Sequence, residues 1–211
     1  SMLSVQSGLV MFPIYTFGSE EQRARYLPRL ATGEIVGCFG LTEPGSGSDP
    51  GSMTTTLRRR GSGWVLDGAK AWITNGTAAD VAVVWAKNED GRIQGVLVEK
   101  GTPGFCAWDE KHKHSLRGSI TSNLSFEDTP VAPEMLLPRG TGLGAPLQCL
   151  NQARYGIGWG AVGSAFFTLE SALRYTLERE QFGAPLAGFQ LQQEKLAWMF
   201  SEVAKAQLLA L

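Results

Sequence analysis

From about Gly37 to Pro138 the apolar residues of this chain alternate with period two, whereas on both sides of that block they recur at helical spacing. This double change of period constrains the fold more than any other feature. Trp64-Val65-Leu66 and Val81-Ala82-Val83-Val84-Trp85 read as strands, with Asp67-Gly68 and Asp90-Gly91 as turns between such runs. Several short strands at this spacing predict a small barrel or sandwich. Before them, Ser4 to Phe12 reads as the last turns of a helix stopped near Pro13, and Ser19-Glu20-Glu21-Gln22 has the form of a capping box. After the Arg139-Gly140-Thr141-Gly142 linker, Leu143 to about Arg179 reads as one long helix and a second begins near Phe189. The expectation is an α+β chain, a small β-barrel or sandwich domain flanked by helical segments. Its parts are the end of a helical domain (1–36), a middle β domain (37–140) and the start of a helical bundle (141–211). The opening Ser1-Met2-Leu3-Ser4 lacks a cap and the closing residues stop in a helical pattern, so the chain reads as a fragment of a longer protein.

Charge argues against a nucleic-acid binder: 19 Lys plus Arg face 20 Asp plus Glu, for a net charge of -1. The one basic run, Arg58-Arg59-Arg60, sits beside Gly61-Ser62-Gly63 and reads as a solvated hairpin end. Cys38, Cys106 and Cys149 have neither metal-ligand spacing nor a disulfide pattern, which fits a reducing compartment. No apolar stretch is long enough to span a bilayer, and the expectation is a soluble chain. Gly156, Gly160 and Gly163 recur at helical spacing, each costing about 1 kcal/mol of helix propensity relative to Ala. That cost points to a face approached closely by another backbone or a ligand.

Two segments carry chemistry. Phe39-Gly40-Leu41-Thr42-Glu43-Pro44-Gly45-Ser46-Gly47-Ser48-Asp49 offers a strand end, hydroxyls at Thr42 and Ser48, and kinks that let main-chain N–H groups approach a ligand. Lys70-Ala71-Trp72-Ile73-Thr74-Asn75 offers an indole able to stack on an isoalloxazine face, with the Thr74 hydroxyl two residues on and so on the same side of a strand. Together they can line both edges of a flavin ring. Trp72 alone would read as a core indole, and Glu43, followed by Pro44, reads as fixing its loop rather than as an acid or base.

With Ser4-Val5-Gln6-Ser7, Ala153-Arg154-Tyr155-Gly156-Ile157 and Arg179-Glu180-Gln181-Phe182-Gly183, these segments resemble the acyl-CoA dehydrogenase family, and within it the glutaryl-CoA dehydrogenases. The resemblance implies FAD as cofactor. It places the backbones of Phe39 and Leu41 and the Thr42 hydroxyl at the flavin ring, Ser48 near its phosphates and the CoA arm, and Trp72 and Thr74 at the opposite face and the N5 edge. Arg179, Phe182 and Gln190 would reach the pyrophosphate and adenine end of an FAD bound largely by a neighbouring subunit, which implies an oligomer, by family expectation a tetramer. A surface ion pair of Arg179 with Glu178 or Glu180 is the alternative.

For the acyl-CoA substrate the resemblance implies Ser1, Ser4, Ser48, Leu147, Leu150, Asn151 and Arg154, with Arg154 otherwise pairing Glu170. In glutaryl-CoA dehydrogenases the serine matching Ser4 and an arginine upstream of it engage the distal carboxylate; that arginine would fall before Ser1. The catalytic base would be a glutamate beyond Leu211, so no catalytic residue is assigned here; His112 and His114 sit in a charged, exposed loop. The implied reaction is FAD-dependent oxidation and decarboxylation of glutaryl-CoA to crotonyl-CoA and CO2, with electrons leaving through an electron-transferring flavoprotein. The compartment would be bacterial cytoplasm or mitochondrial matrix. A short-chain acyl-CoA dehydrogenase for a neutral substrate and a non-catalytic FAD- or CoA-binding module are the competing readings.

Overall fold

Val81-Ala82-Val83-Val84-Trp85-Ala86 is buried on both faces and divides the interior in two. Val81, Val83 and Trp85 belong to one apolar cluster, and Ala82, Val84 and Ala86 to another. Alternate side chains of a strand point to opposite faces, so this strand must be central in a sheet covered on both sides. In the computed structural model, which describes Met2–Leu211, it is β4 (Val81–Asn88). The other strands are β1 (Gly37–Gly40), β2 (Thr56–Arg60), β3 (Gly63–Thr74), β5 (Ile93–Glu99), β6 (Phe105–Asp109), β7 (Thr121–Val131) and β8 (Leu136–Thr141). They form one eight-stranded sheet in the order β6-β7-β3-β2-β4-β5-β8, with β1 parallel to the first half of β4. The α+β arrangement of strands between helical segments is as expected; the sheet is not closed into a barrel, its end strands β6 and β8 being unpaired with each other.

Helices cover one face. Met2–Ser4 (α1) leads through wide π-type turns, Val5–Met11, into Phe12–Phe17 (α2) and then Glu20–Thr32 (α3). Val10, Ile14, Phe17, Tyr26 and Leu30 pack on the Val81, Val83 and Trp85 side. The expected stop at Pro13 does not occur. The Phe12 N–H bonds back to Ser7 O, five residues earlier, so the wide turns pass the missing N–H of Pro13 into the first turn of α2, where none is needed. The capping box at Ser19 and Gln22 forms as read. Gln22 then uses its amide to reach Glu134 O (2.8 Å) and Leu136 O (2.9 Å), fastening α3 to the sheet.

Asp67-Gly68 is not a turn. It lies inside β3, opposite a bulge in β7 where Leu66 pairs Thr129 and Gly68 pairs Phe126. The Asp67 carboxylate accepts the Asp128 N–H at 2.8 Å, and a Cβ at Gly68 would lie 2.6 Å from Thr55 Oγ1. The pair therefore serves a close crossing of strands, and the hairpin is at Gly61-Ser62, between Arg60 and Gly63. Arg58, Arg59 and Arg60 stand exposed at its end, as expected; Arg58 pairs with Asp67 and Arg59 lies over the Trp64 ring. Asp90-Gly91 does turn between β4 and β5.

By internal contacts the chain divides after Ala153. Helix α4 (Gly144–Glu178) and helix α5 (Gln190–Ala210) follow the expected limits closely. In the second unit, Arg154–Leu211, they flank a two-stranded hairpin, β9 (Glu180–Gln181) and β10 (Ala184–Pro185). Ile157, Phe167, Trp198 and Phe200 are exposed there, and a Cβ at Gly160 or Gly163 would meet nothing within 4 Å, so the face read from the glycine spacing lies open in this chain. No described helix is long and apolar enough to cross a membrane.

Candidate functional site

β1 enters the interior with Phe39 and Leu41 both buried in the helical-side core, which leaves their main chain rather than their side chains for any ligand. What fixes the strand is Gln6 at its start and Lys70 beside its end. The buried Gln6 amide donates to Leu30 O (3.0 Å) and Ile35 O (2.8 Å) and accepts the Gly37 N–H (2.9 Å). The glutamine of Ser4-Val5-Gln6-Ser7 therefore serves the fold, joining two helical segments to the start of β1. Gly37 is required in that corner, because a Cβ there would lie 2.4 Å from Val10 Cγ1.

Beyond Gly40 the chain leaves the ladder, turns at Glu43-Pro44-Gly45-Ser46, and is held by a buried carboxylate. Glu43 accepts Lys70 Nζ at 2.8 Å and the Thr55 N–H at 3.0 Å on one oxygen, and the Thr54 N–H (2.7 Å) and hydroxyl (2.8 Å) on the other. Burial pushes this carboxyl up, but the Lys70 and Thr55 hydrogen bonds, the Thr54 N–H and the Lys70 charge outweigh it and hold it at about 2. Burial pulls the Lys70 ammonium down to about 8 against the Glu43 hydrogen bond and charge. Both groups are thus ionised at neutral pH. Glu43 fixes its loop, as the sequence indicated.

Lys70 ends the regular part of β3. Lys70 pairs Leu124 and Ile73 pairs Ser122, so β3 carries one extra residue in a bulge. Trp72 in that bulge has φ 62° and Asn75 has φ 66°, both in the left-handed region, which asparagine tolerates well and a bulky indole-bearing residue does not. Asn75 is buried and donates to Gly37 O at 3.3 Å, bracing the far end of the turn on the start of β1. The bulge turns the Trp72 indole outward, 61% exposed, while Ala71 and Ile73 point inward and Thr74 is half-buried. Trp72 is thus no core indole. The Ala71 N–H donates to Thr42 O at 2.9 Å, which brings the two chemistry-bearing segments side by side, with Thr42 half-buried at the junction. Ser48 lies farther along the exposed loop.

On α4, Leu147, Leu150 and Asn151 occupy its first turns. Leu150 packs on the helical-side core while Leu147 and Asn151 are exposed. Arg154, one turn on from Leu150, is exposed and opens the second unit. Ser4 is half-buried at the end of α1, and Ser1 lies outside the described residues. In the second unit, Phe182 and Gly183 take φ 54° and 74° as the two-residue turn of the β9–β10 hairpin. The Phe182 ring is 97% exposed and stands edge-on to Phe189 at 6.4 Å. Arg179 O accepts the Leu186 N–H at 2.8 Å across the base of this hairpin, and Gln190, the first residue of α5, is exposed. His112 and His114 are exposed, in keeping with a solvated loop.

Sequence reasoning gave no role to Lys70 or Gln6. A lysine flanked by Ala69 and Ala71 within a strand was the available signal for a buried cation, and Glu43, already read as fixing its loop, was the carboxylate left to meet it.

Family models match almost the whole chain: acyl-CoA dehydrogenase N-terminal domain over residues 1–34, middle domain over 38–129, and C-terminal domain over 140–211. The chain belongs to the acyl-CoA dehydrogenase family. A crystal structure of a glutaryl-CoA dehydrogenase from Mycobacterium smegmatis in complex with FADH2 matches with TM-score 0.94 and 53% identity, over 99% of this chain and 54% of that one. The butyryl-CoA dehydrogenase of Megasphaera elsdenii matches with TM-score 0.93 and 35% identity, over 99% of this chain and 56% of that one. The human mitochondrial short-chain specific acyl-CoA dehydrogenase is 40% identical over 99% of this chain and 52% of its own length. This member of the family thus spans about half the length of the relatives it matches.

Proposed function

We propose that the protein to which this chain belongs is an FAD-dependent glutaryl-CoA dehydrogenase that oxidises glutaryl-CoA and releases CO2 to give crotonyl-CoA, passing electrons to an electron-transferring flavoprotein. The observation that carries the reading is the 53% identity, over 99% of this chain, to the Mycobacterium smegmatis glutaryl-CoA dehydrogenase. The residues suit a flavin: an exposed indole held at positive φ beside a strand end whose side chains are buried, with the Thr42 and Thr74 hydroxyls alongside. Bound there, FAD would accept the hydride from the β carbon of the thioester.

In this reading the main chain at Phe39 and Leu41 and the Thr42 hydroxyl hold the ring edge, Trp72 covers a face, and Thr74 meets the N5 side. Arg179, whose planar fork suits phosphate oxygens, serves the pyrophosphate with Phe182 and Gln190 in an oligomer. Ser48, Leu147, Leu150, Asn151 and Arg154 receive the CoA ester, and Ser4 serves its acyl end. The base that takes the α proton is a glutamate of the full protein that none of these 211 residues replaces, so the 211 residues alone give no turnover. The divisions 1–36, 37–140 and 141–211 are the three domains of this plan.

A second reading, a dehydrogenase for a neutral short-chain thioester, is favoured by the 40% identity to the human short-chain specific acyl-CoA dehydrogenase over 99% of this chain. The full-length protein decides between them. Flavin bleaching and CO2 release with glutaryl-CoA, and much slower bleaching with butyryl-CoA, are expected; equal turnover of butyryl-CoA, or none of glutaryl-CoA, overturns the proposal.

A further inference from the structure

Residues 40 to 43 run past Lys70 and Ala71 without any ladder pairing of β1 with β3, yet each of the four is tied to that pair. The Lys70 stem rests against Gly40, where a Cβ would lie 3.2 Å from Lys70 Cγ. Lys70 Nζ donates to Leu41 O at 3.1 Å, the Ala71 N–H donates to Thr42 O at 2.9 Å, and Lys70 Nζ meets Glu43 Oε1 at 2.8 Å. One buried side chain and its neighbour thus engage four consecutive residues. Glu43 is anchored in turn from behind by Thr54 and Thr55. The residue after Ala71 is the outward Trp72 at positive φ.

A pair of buried charges gains little net stability over a well-packed apolar pair, because desolvation offsets most of the attraction. It does impose direction, since an ammonium with three donors and a carboxylate with four acceptor sites are satisfied in few arrangements. A slip of one residue between the two segments would leave both charges buried and unpaired.

We infer that Lys70, paired with Glu43, is a positioning residue for the flavin: it clamps the Leu41–Glu43 segment against the Trp72 bulge, so that Thr42 and Trp72 meet one ligand at a fixed separation. The inference rests on the flavin reading above. It assigns Lys70 no contact with the flavin and no part in proton transfer. Gly40 belongs to the same device, as the position that lets the lysine stem lie flat on the strand.

The test uses the full-length protein, freed of flavin and reloaded with FAD. The uncharged double variant Lys70→Met/Glu43→Gln removes the clamp without leaving a lone buried charge, and Gly40→Ala displaces the lysine stem without touching either charge. FAD affinity and the visible circular dichroism of the bound flavin are read alongside the urea midpoint of the flavin-free forms. A purely structural pair would lower the midpoint and leave the flavin signature alone. The expected result is affinity about tenfold weaker in the double variant, with altered flavin dichroism, and a smaller change of the same sign in Gly40→Ala. Wild-type affinity and dichroism in whichever of the two variants folds overturn the inference. Failure of the wild-type protein to take up FAD would instead overturn the flavin reading on which it rests.

Discussion

Lys70 Nζ lies 2.8 Å from Glu43 Oε1, with the two side chains 0% and 3% exposed. The pair links a loop to a strand through the interior, so its ionisation is tied to folding. Glu43 titrates at about 2 in the fold against 4.5 for a free glutamate. A depressed carboxyl contributes stability that is fully present above about 4.5 and is lost as pH falls toward about 2. The amount is on the order of 3 kcal/mol. Lys70 titrates at about 8 against 10.5, so its own contribution is constant below 8 and leaves the acid window to Glu43. Urea unfolding at pH 7, 4 and 3 should show the wild-type chain losing stability faster than Glu43→Gln, which starts lower. Parallel loss in the two proteins would mean that Glu43 is not the group being protonated.

Gln6→Ala removes three buried hydrogen bonds and leaves Ile35 O and the Gly37 N–H without these partners, while Leu30 O keeps the Gly33 N–H at 3.2 Å. A cost of about 2–4 kcal/mol follows. Because Gln6 supports the fold, the ratio of glutaryl-CoA to butyryl-CoA turnover in the full-length protein should stay at its wild-type value. A changed ratio with an unchanged melting temperature would move Gln6 from the fold to the substrate site.

Local signals in the sequence were read correctly where one interaction decides the outcome. The Ser19 and Gln22 capping box, the long helix up to Glu178 with no proline after Pro146, and the arginine-tipped hairpin are of this kind. Two misses have tertiary causes. Pro13 continues a helix because the turns before it are wide, and Asp67-Gly68 is spent on a bulge in the neighbouring strand. At the candidate site the motif residues were legible but the reason for their spacing was not. Strand alternation put Trp72 and Thr74 on one side, and the structure reaches that side through a bulge braced where Lys70, Ala71 and Asn75 meet Leu41, Thr42 and Gly37, a segment distant from them in sequence.

Trp72 combines a costly backbone conformation with an exposed indole, a combination that packing alone does not repay. Replacing it by glycine should relieve the left-handed strain, of order 1 kcal/mol, and remove little buried surface. The flavin-free protein carrying Trp72→Gly is therefore expected to be as stable as wild type or slightly more so in urea, while FAD binds about tenfold more weakly for want of the stacked ring. Clear destabilisation of the flavin-free form would show that the indole supports the fold.

Phe182 makes the same argument in the second unit. Paired with Gly183 in a two-residue turn with both φ positive, it holds a position where Asn is the favoured residue, and its ring is almost wholly exposed. Phe182→Asn should therefore stabilise the hairpin by about 0.5–1 kcal/mol through its backbone preference, even after loss of the edge-on contact with Phe189. If the ring serves the adenine end of FAD in an oligomer, the full-length variant will melt no earlier than wild type without flavin and yet release FAD faster on dilution. A variant that loses stability and keeps its flavin would place Phe182 in the packing of its own chain instead.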